Sequence, residues 1–316
     1  MRRIKNILRK NNAIYLAYRQ YKASNIYRYF RWFKYKYNFS SETLLKKKFQ
    51  RKLGRELDLV NPVKYNDKLQ WLKLYWYDSL ASLCADKYAV RPYVKDTIGE
   101  KYLNELHAVY ESENDIVLDD LPERFVLKGT HGSGFNIICK DKTRLNWNEI
   151  KIELRRWLNT NYYWKSREWV YKDIKPRIIC EKFMSQSNGN DLLDYRFFCF
   201  SGQPKFISVD FNIADKSKVT RRNIYDLDWN LMNAEISYPK EQSIILEKPV
   251  KLDEMIAVSK KLSSAFPHAR VDLYNIDGNI LFGEITFFHQ SGMGKIKPES
   301  FEIEMGKWLE LPEPRA

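Results

Sequence analysis

Two carboxylates set into an apolar hairpin constrain this chain more than any other feature. Ala269 to Thr286 runs through β-branched and aromatic residues to Asp277-Gly278 and away again, with Asp272 on the first arm and Glu284 on the second. That pattern predicts strand, tight turn, strand. Side chains alternate faces along a strand, so Asp272 and Glu284 share a face only if the turn holds an odd number of loop residues. A two-residue Asp277-Gly278 turn would separate them. A three-residue loop, Ile276-Asp277-Gly278 with Gly278 left-handed as a bulge, sets Asp272 diagonally beside Glu284 and Arg270 opposite Glu284, and this is the register expected. Carboxylates this close repel unless a cation lies between them, and hard oxygen ligands suit Mg2+ carrying nucleotide phosphates. Solvated strand charges are the ordinary alternative, so other residues must decide.

A second signal is Phe125 to Ile138: an apolar strand ending at Lys128, the turn Gly129-Thr130-His131-Gly132-Ser133-Gly134, and another apolar strand. Glycines let backbone N–H groups approach an anion, which makes Gly132, Ser133 and Gly134 candidates for phosphate contacts, with Lys128 supplying charge to α/β-phosphate oxygens. The glycine-lysine-serine/threonine order of a P-loop is absent, and a strand follows where a P-loop has a helix. A third signal is Pro176 to Met184, an apolar strand ending at Glu181-Lys182. Backbone groups after Glu181 can pair with the edge of an adenine while Phe183 and Met184 cover its face. An ordinary strand end reads the same way in isolation.

In this order the pieces resemble an ATP-grasp enzyme, and more closely the TupA-like ATP-grasp family, named for teichuronopeptide biosynthesis. The resemblance runs from about residue 61 to about residue 294. Its anchors are Asn61-Pro62, Tyr65-Asn66-Asp67-Lys68-Leu69-Gln70-Trp71-Leu72-Lys73, Asp86-Lys87-Tyr88-Ala89-Val90-Arg91, Glu168 to Lys172, Asp194-Tyr195-Arg196-Phe197, Asp226 to Asn230, the hairpin, and Phe287-Phe288-His289-Gln290-Ser291-Gly292. It implies an α+β fold, two subdomains sandwiching a nucleotide, with ATP and Mg2+ as cofactors. It also implies residue roles. Lys87 and Lys128 would be the nucleotide lysines, Glu181 the hinge glutamate, Asp272 and Glu284 the metal carboxylates, and Arg270 the arginine that stabilises a developing oxyanion. Thr286 stands where many members of the superfamily have a metal-binding asparagine. Arg222 is the first choice for a further phosphate cation, followed by Arg221, Arg196 and Lys205.

The implied reaction is ATP-dependent carboxylate–amine ligation through an acyl phosphate, joining an amine or amino acid to a carboxylate of a cell-surface polysaccharide or its precursor. Such chemistry needs positioning and charge neutralisation and no protein nucleophile. The sequence agrees: it has no nucleophile elbow and no HExxH, and no deliberate Cys-His pairing. His131 is the one histidine expected near a site; His107, His268 and His289 read as structural or solvated. The alternative is a glycosyltransferase, for which Asp226-Leu227-Asp228 fits DxD literally but reads as a polar turn. A third class, an inert RNA-binding or scaffold protein, would make the basic segment the function.

Charge is distributed unevenly. Residues 1–55 hold 17 Lys and Arg against the single acid Glu42, a net of +16, while the whole chain carries +14 and the remainder therefore −2. Tyr15, Tyr18, Tyr21, Tyr27, Tyr29, Phe30, Trp32, Phe33, Tyr35, Tyr37 and Phe39 are interleaved with Arg28, Arg31, Lys34 and Lys36. Cations among interfacial aromatics suit an anionic membrane surface and suit nucleic acid less; packing of the aromatics on the core is the plain alternative. No run of about 18 apolar residues and no signal-peptide pattern is present. The expected place is therefore the cytoplasm, peripheral at the inner face of the plasma membrane. Cys84, Cys139, Cys180 and Cys199 are scattered and read as reduced core residues.

Three successive segments are expected: a basic, aromatic-rich helical extension at 1–60, a helical region at 61–120 and the ATP-grasp domain at 121–316. Strands are predicted at 124–128, 135–140, 177–183, 195–200, 204–211, 270–276 and 279–287, with helices at 86–94, 146–158 and 252–265.

Overall fold

The computed structural model describes residues 12–37, 40–186, 192–211 and 219–315; the side chains of Asn12, Arg31, Lys34, Tyr35, Lys36 and Tyr37, and all of Phe39, lie outside that description. The chain forms two compact units from interleaved segments, which differs from the three successive segments expected.

Unit 1 comprises 1–40, 105–167 and 171–183. Its sheet is antiparallel, ordered β1-β4-β2-β3, from Leu106–Tyr110 (β1), Phe125–Gly129 (β2), Asn136–Cys139 (β3) and Ile178–Lys182 (β4). Alternation turns Phe125 and Leu127 inward onto Leu154 and Trp157 of helix Trp147–Leu158, with Ile178 and Cys180 from β4. Asn146 starts that helix by accepting from the N–H of Glu149 at 3.2 Å. Strand β1 lies inside the stretch expected to be helical. It exists because β4 pairs with it, with Val109 opposite Ile179, a partner more than 60 residues away that no local pattern announces. Two basic helices, Asn12–Ala23 (α1) and Asn25–Tyr37 (α2), pack on this unit.

Unit 2 comprises 41–104, 168–170 and 184–316. Helices Ser41–Leu53 (α3), Tyr65–Tyr75 (α4), Ser79–Ala85 (α5) and Val90–Ile98 (α6) precede its sheet. Asp194–Phe200 (β5), Gln203–Phe211 (β6), Arg221–Tyr225 (β7), His268–Ile276 (β9) and Asn279–Thr286 (β10) form an antiparallel sheet ordered β10-β9-β5-β6-β7. A small pair, Glu235–Ile236 (β8) with Ile296–Lys297 (β11), stands apart from it. Strand β7 escapes the pattern because two arginines interrupt its apolar content. The C-terminal helix Glu299–Trp308 was not expected either. It contains Gly306, where a Cβ would lie 1.9 Å from the Val63 carbonyl, so close packing explains a residue that weakens a helical signal.

Candidate active site

The hairpin β9–β10 closes through a two-residue turn: Ile276 pairs with Asn279, and Asp277 and Gly278 both have positive φ, 51° and 85°. The three-residue loop expected from sequence is therefore corrected. The carboxylates nevertheless share a face, because a β-bulge at Gly283 shifts the register between Phe282 and Glu284. Beyond it Glu284 stands opposite Asp272, and Thr286, rather than Glu284, stands opposite Arg270. An even turn plus one bulged residue gives the same parity as an odd turn.

Arg270 lies across this face. It donates to both oxygens of Asp272, Nε to Oδ1 at 2.7 Å and Nη2 to Oδ2 at 2.5 Å, and Nη2 also reaches Glu284 Oε1 and Thr286 Oγ1, each at 3.1 Å. Glu284 Oε2 takes Lys87 Nζ at 3.0 Å. Lys87 stands in a turn, not in the helix expected at 86–94, since α6 begins only at Val90. Asp86 fixes the turn by accepting from the N–H groups of Tyr88 at 2.8 Å and Ala89 at 3.2 Å.

Neighbouring strands extend the network. Arg196, opposite Asp272 on β5, pairs with Asp194 at 2.7 Å and with Asp210, and lies 3.7 Å from Asp272. Arg222 is almost wholly buried: it grips Asp210, with Nη2 to Oδ2 at 2.6 Å, and donates through Nη1 to the Ile236 carbonyl at 3.1 Å. Arg222 was the sequence's first choice for the triphosphate; here it faces inward while its neighbour Arg221 takes the outer position, pairing with Glu241 at 3.6 Å. His289 stands between two guanidiniums, Nδ1 2.6 Å from Arg270 Nη1 and Nε2 3.1 Å from Arg222 Nη1. Four cations, Lys87, Arg196, Arg222 and Arg270, thus balance four carboxylates, Asp194, Asp210, Asp272 and Glu284.

The electrostatics pull the two hairpin carboxylates apart. Burial pushes Asp272 up, against the bidentate Arg270. Burial also pushes on Glu284, but Lys87 and Arg270 overcome it and hold that carboxyl well below its ordinary range. Burial, then Arg270 and Arg222, keeps His289 far below an ordinary histidine and therefore neutral. Sequence reasoning passed over His289, Asp194 and Asp210. Asp210 did leave a signal, a lone acid in the apolar strand Phe206 to Phe211.

The family-like motif at Tyr65 to Lys73 acquires a purpose. After Phe288 and His289, Gln290, Ser291 and Gly292 all have positive φ, and α4 holds this turn. Gln70 Nε2 donates to the carbonyls of Ser291 at 3.0 Å and Gly292 at 2.7 Å, and Lys73 Nζ donates to the Ser291 carbonyl and hydroxyl at 2.8 and 2.7 Å. Asn66 Nδ2 donates to the Gly294 carbonyl at 2.9 Å and to Glu302 at 2.7 Å. These contacts anchor the turn that carries His289. Burial lowers Lys73 to about 8.

In unit 1, Lys128 and Glu181 are diagonal neighbours on β2 and β4, and Lys128 Nζ meets Glu181 Oε2 at 2.6 Å. Lys182 points outward to Glu105 at 3.0 Å, and Arg124 lies 4.7 Å over the Phe183 ring. The glycine loop is folded tightly over Phe135, whose ring stacks on Trp157 at 5.5 Å. A Cβ on Gly129 or Gly132 would come within 2.9 Å of the Phe135 side chain, while Ser133 and Gly134 are exposed. Asp226, first of the DxD-like pair, directs both oxygens to Asn230 at 2.7 and 2.9 Å, so it is the polar turn the sequence suggested.

Asp272, Glu284 and Thr286 are oxygen donors of the kind Mg2+ takes, and both oxygens of each carboxylate are engaged by Arg270 or Lys87. Among the described residues there is no group of three His, Cys, Asp or Glu that could hold a metal ion. All four cysteines are free and buried, and burial raises Cys84, Cys180 and Cys199 to about 12, which leaves them inert.

Solved structures with a similar course include a D-alanine--D-alanine ligase from Bacillus anthracis complexed with ATP, 16% identical over 65% of this chain and 55% of that one, TM-score 0.36. The ATP-grasp ligase PsnB, complexed with minimal precursor, Mg and ADP, is 12% identical over 70% and 57%, TM-score 0.37. The D-alanine-D-alanine ligase from Helicobacter pylori is 15% identical over 74% and 60%, TM-score 0.38. The chain thus spans less than two thirds of the length of each of these proteins. No curated protein matches it. The model of the TupA-like ATP-grasp family matches residues 67–310, close to the start expected from sequence and extending past Gly294 through the C-terminal helix. With most of its length inside that match, and with the lysine strand, glycine loop and carboxylate hairpin built as described, the chain belongs to the TupA-like ATP-grasp family.

Proposed function

We propose that the protein is an ATP-dependent carboxylate–amine ligase whose substrate is linked to a cell-surface polysaccharide or its precursor. In this reaction a carboxylate attacks the γ-phosphate of ATP, and an amine then displaces phosphate from the acyl phosphate. Bound Mg2+ would neutralise phosphate charge. In unit 2, Asp272, Glu284 and Thr286 would hold the metal, and Lys87 keeps Glu284 ionised. Arg270, fixed between Asp272 and His289, presents positive charge to the developing oxyanion. Neutral His289 accepts from an arginine without adding a fifth cation. In unit 1, Lys128 addresses the α/β-phosphates, the backbone of Gly132, Ser133 and Gly134 wraps them, and the strand end at Glu181, Lys182 and Phe183 takes the base.

The observation that carries the reading is the opposed pair Asp272 and Glu284 with Arg270 between them. A glycan-linked acceptor is supported by a cavity of about 530 Å3 within unit 1. Its lining includes Trp32, Trp164, Asn159, Asn161 and Lys172, rings for sugar C–H faces with amides and a cation for hydroxyls and acids. An anionic membrane surface remains the partner expected for residues 1–55, and a peripheral position at the inner face of the plasma membrane follows from it. Calorimetry with a non-hydrolysable ATP analogue tests the nucleotide reading: binding should require Mg2+, and ADP release should appear with a uronic-acid glycan and an amino acid. Selective binding of a sugar nucleotide, with ATP ignored, would instead make the protein a transferase.

A further inference from the structure

An amphipathic helix on a globular unit ordinarily turns its apolar face inward and its charges outward. Helix α2 leaves a row of apolar residues on its outer side. Its contacts with the unit are polar and aromatic: the exposed Arg28 donates through Nη1 to Asn159 Oδ1 at 3.5 Å, and Trp32 meets Trp164 edge to face at 6.4 Å. The preceding α1 is tied to the same unit by Arg19 with Glu149 and by Asn159 Nδ2, which donates to the Ala23 carbonyl at 2.9 Å. On the other side of α2, Ile26, Tyr29, Phe30 and Phe33 are 74%, 67%, 64% and 53% exposed. Their spacing of i, i+3, i+4 and i+7 makes one continuous stripe. Ile14 and Tyr21 of α1 are also about half exposed.

We propose that this stripe docks on an anionic lipid bilayer, with α2 lying in the interface and Ile26, Tyr29, Phe30 and Phe33 inserted below the headgroups. Length excludes spanning: 13 residues reach about 20 Å against a hydrocarbon core of about 30 Å, and no described helix is long and apolar enough to cross a membrane. Charge selects the occupant. Residues 1–55 carry +16, so a second copy of this chain brought against the stripe would set two strongly positive segments face to face. An anionic surface attracts the same charge, and phenylalanine and tyrosine suit the headgroup boundary. The stripe is separable from the nucleotide and metal reading, because α2 contributes no residue to those groups, although its Trp32 and Tyr29 also line the acceptor cavity.

The test is co-sedimentation of the full chain with vesicles of phosphatidylcholine alone and of phosphatidylcholine doped with phosphatidylglycerol, at low and high salt. The wild type should pellet with the anionic vesicles at low salt and release as salt rises. Phe30→Ser/Phe33→Ser, which keeps every charge and alters only exposed side chains, should lower the partition coefficient at least about tenfold, and Ile26→Ser should weaken it in the same direction. An unchanged melting temperature and unchanged Mg2+-ATP binding separate this loss from misfolding and from failure of the enzyme assignment. Absence of pelleting by the wild type overturns the proposal, as does equal pelleting of the double variant, which would assign attachment to charge alone. A concentration-dependent dimer abolished by the same substitutions would show that the stripe covers a second copy, and would also overturn it.

Discussion

Asp272 and Glu284 face each other across β9 and β10 because Gly283 is bulged between them. With the two-residue turn alone, Asp272 would lie opposite Gly283, and Glu284 would point to the other side of the sheet. A Cβ at position 283 would sit 3.0 Å from the Asp272 carbonyl oxygen and 3.1 Å from the Tyr274 ring. Gly283→Val should therefore cost stability by about 1–3 kcal/mol and weaken Mg2+-dependent nucleotide binding more than Mg2+-independent binding. Titration of the analogue with and without the metal reads the difference, and equal losses would detach the bulge from the metal site.

Glu284→Gln tests the carboxylate itself. Turnover should fall by about 10² or more, since a charge facing the metal is removed. The structure adds a stability cost of about 1–3 kcal/mol, because Lys87 and Arg270 lose an anionic partner in a largely enclosed site. Lys87→Met in the same background should recover part of the stability and none of the activity. Chemical denaturation and ADP release, measured on both single variants and the double, separate the two effects; full activity in Glu284→Gln would make that residue a bystander.

Gly292 is held by space as well as conformation. Its φ is 57°, and a Cβ would fall 2.3 Å from Gln70 Nε2 and 2.9 Å from Leu69 Cβ. Gly292→Ala should destabilise by about 2–4 kcal/mol and lower activity through displacement of His289. Gln70→Ala in the same chain should relieve only part of this, since Leu69 remains. A melting temperature within a degree or so of wild type would show that the turn adapts freely.

Stability should respond to acid through His268. Its Nδ1 donates to the Cys199 carbonyl at 2.9 Å, its Nε2 accepts from the Tyr65 hydroxyl at 2.8 Å, and burial lowers its pKa to about 3. An unfolded histidine takes a proton near pH 6.5. Between those values the unfolded chain holds the extra proton, so stability falls as pH falls, by about 1.4 kcal/mol per unit for this group. Between pH 6 and pH 4 the wild type should lose about 2–3 kcal/mol more than His268→Asn. Parallel pH profiles for the two proteins would contradict a neutral, buried His268.

The sequence determined what short stretches of chain can determine. Apolar alternation marked both arms of the hairpin, the strand before the glycine loop and the strand ending at Glu181, and ordered motifs pointed to the family. Local turn chemistry was legible too at Asp226, where the DxD-like run read as a polar turn and forms one. What the tertiary structure decided rests on partners distant along the chain. The bulge at Gly283 is invisible to a pattern of period two, and a glycine there reads equally as strand or turn. Strand β1 exists through β4, Arg222 turns inward to meet Asp210, and His289 becomes part of the charge network because Gln70 and Lys73 hold its turn from more than 200 residues away. The exposed apolar stripe of α2 belongs to the same class. Composition gave its cations and aromatics, but only packing against Asn159 and Trp164 settles which of its faces is left to solvent.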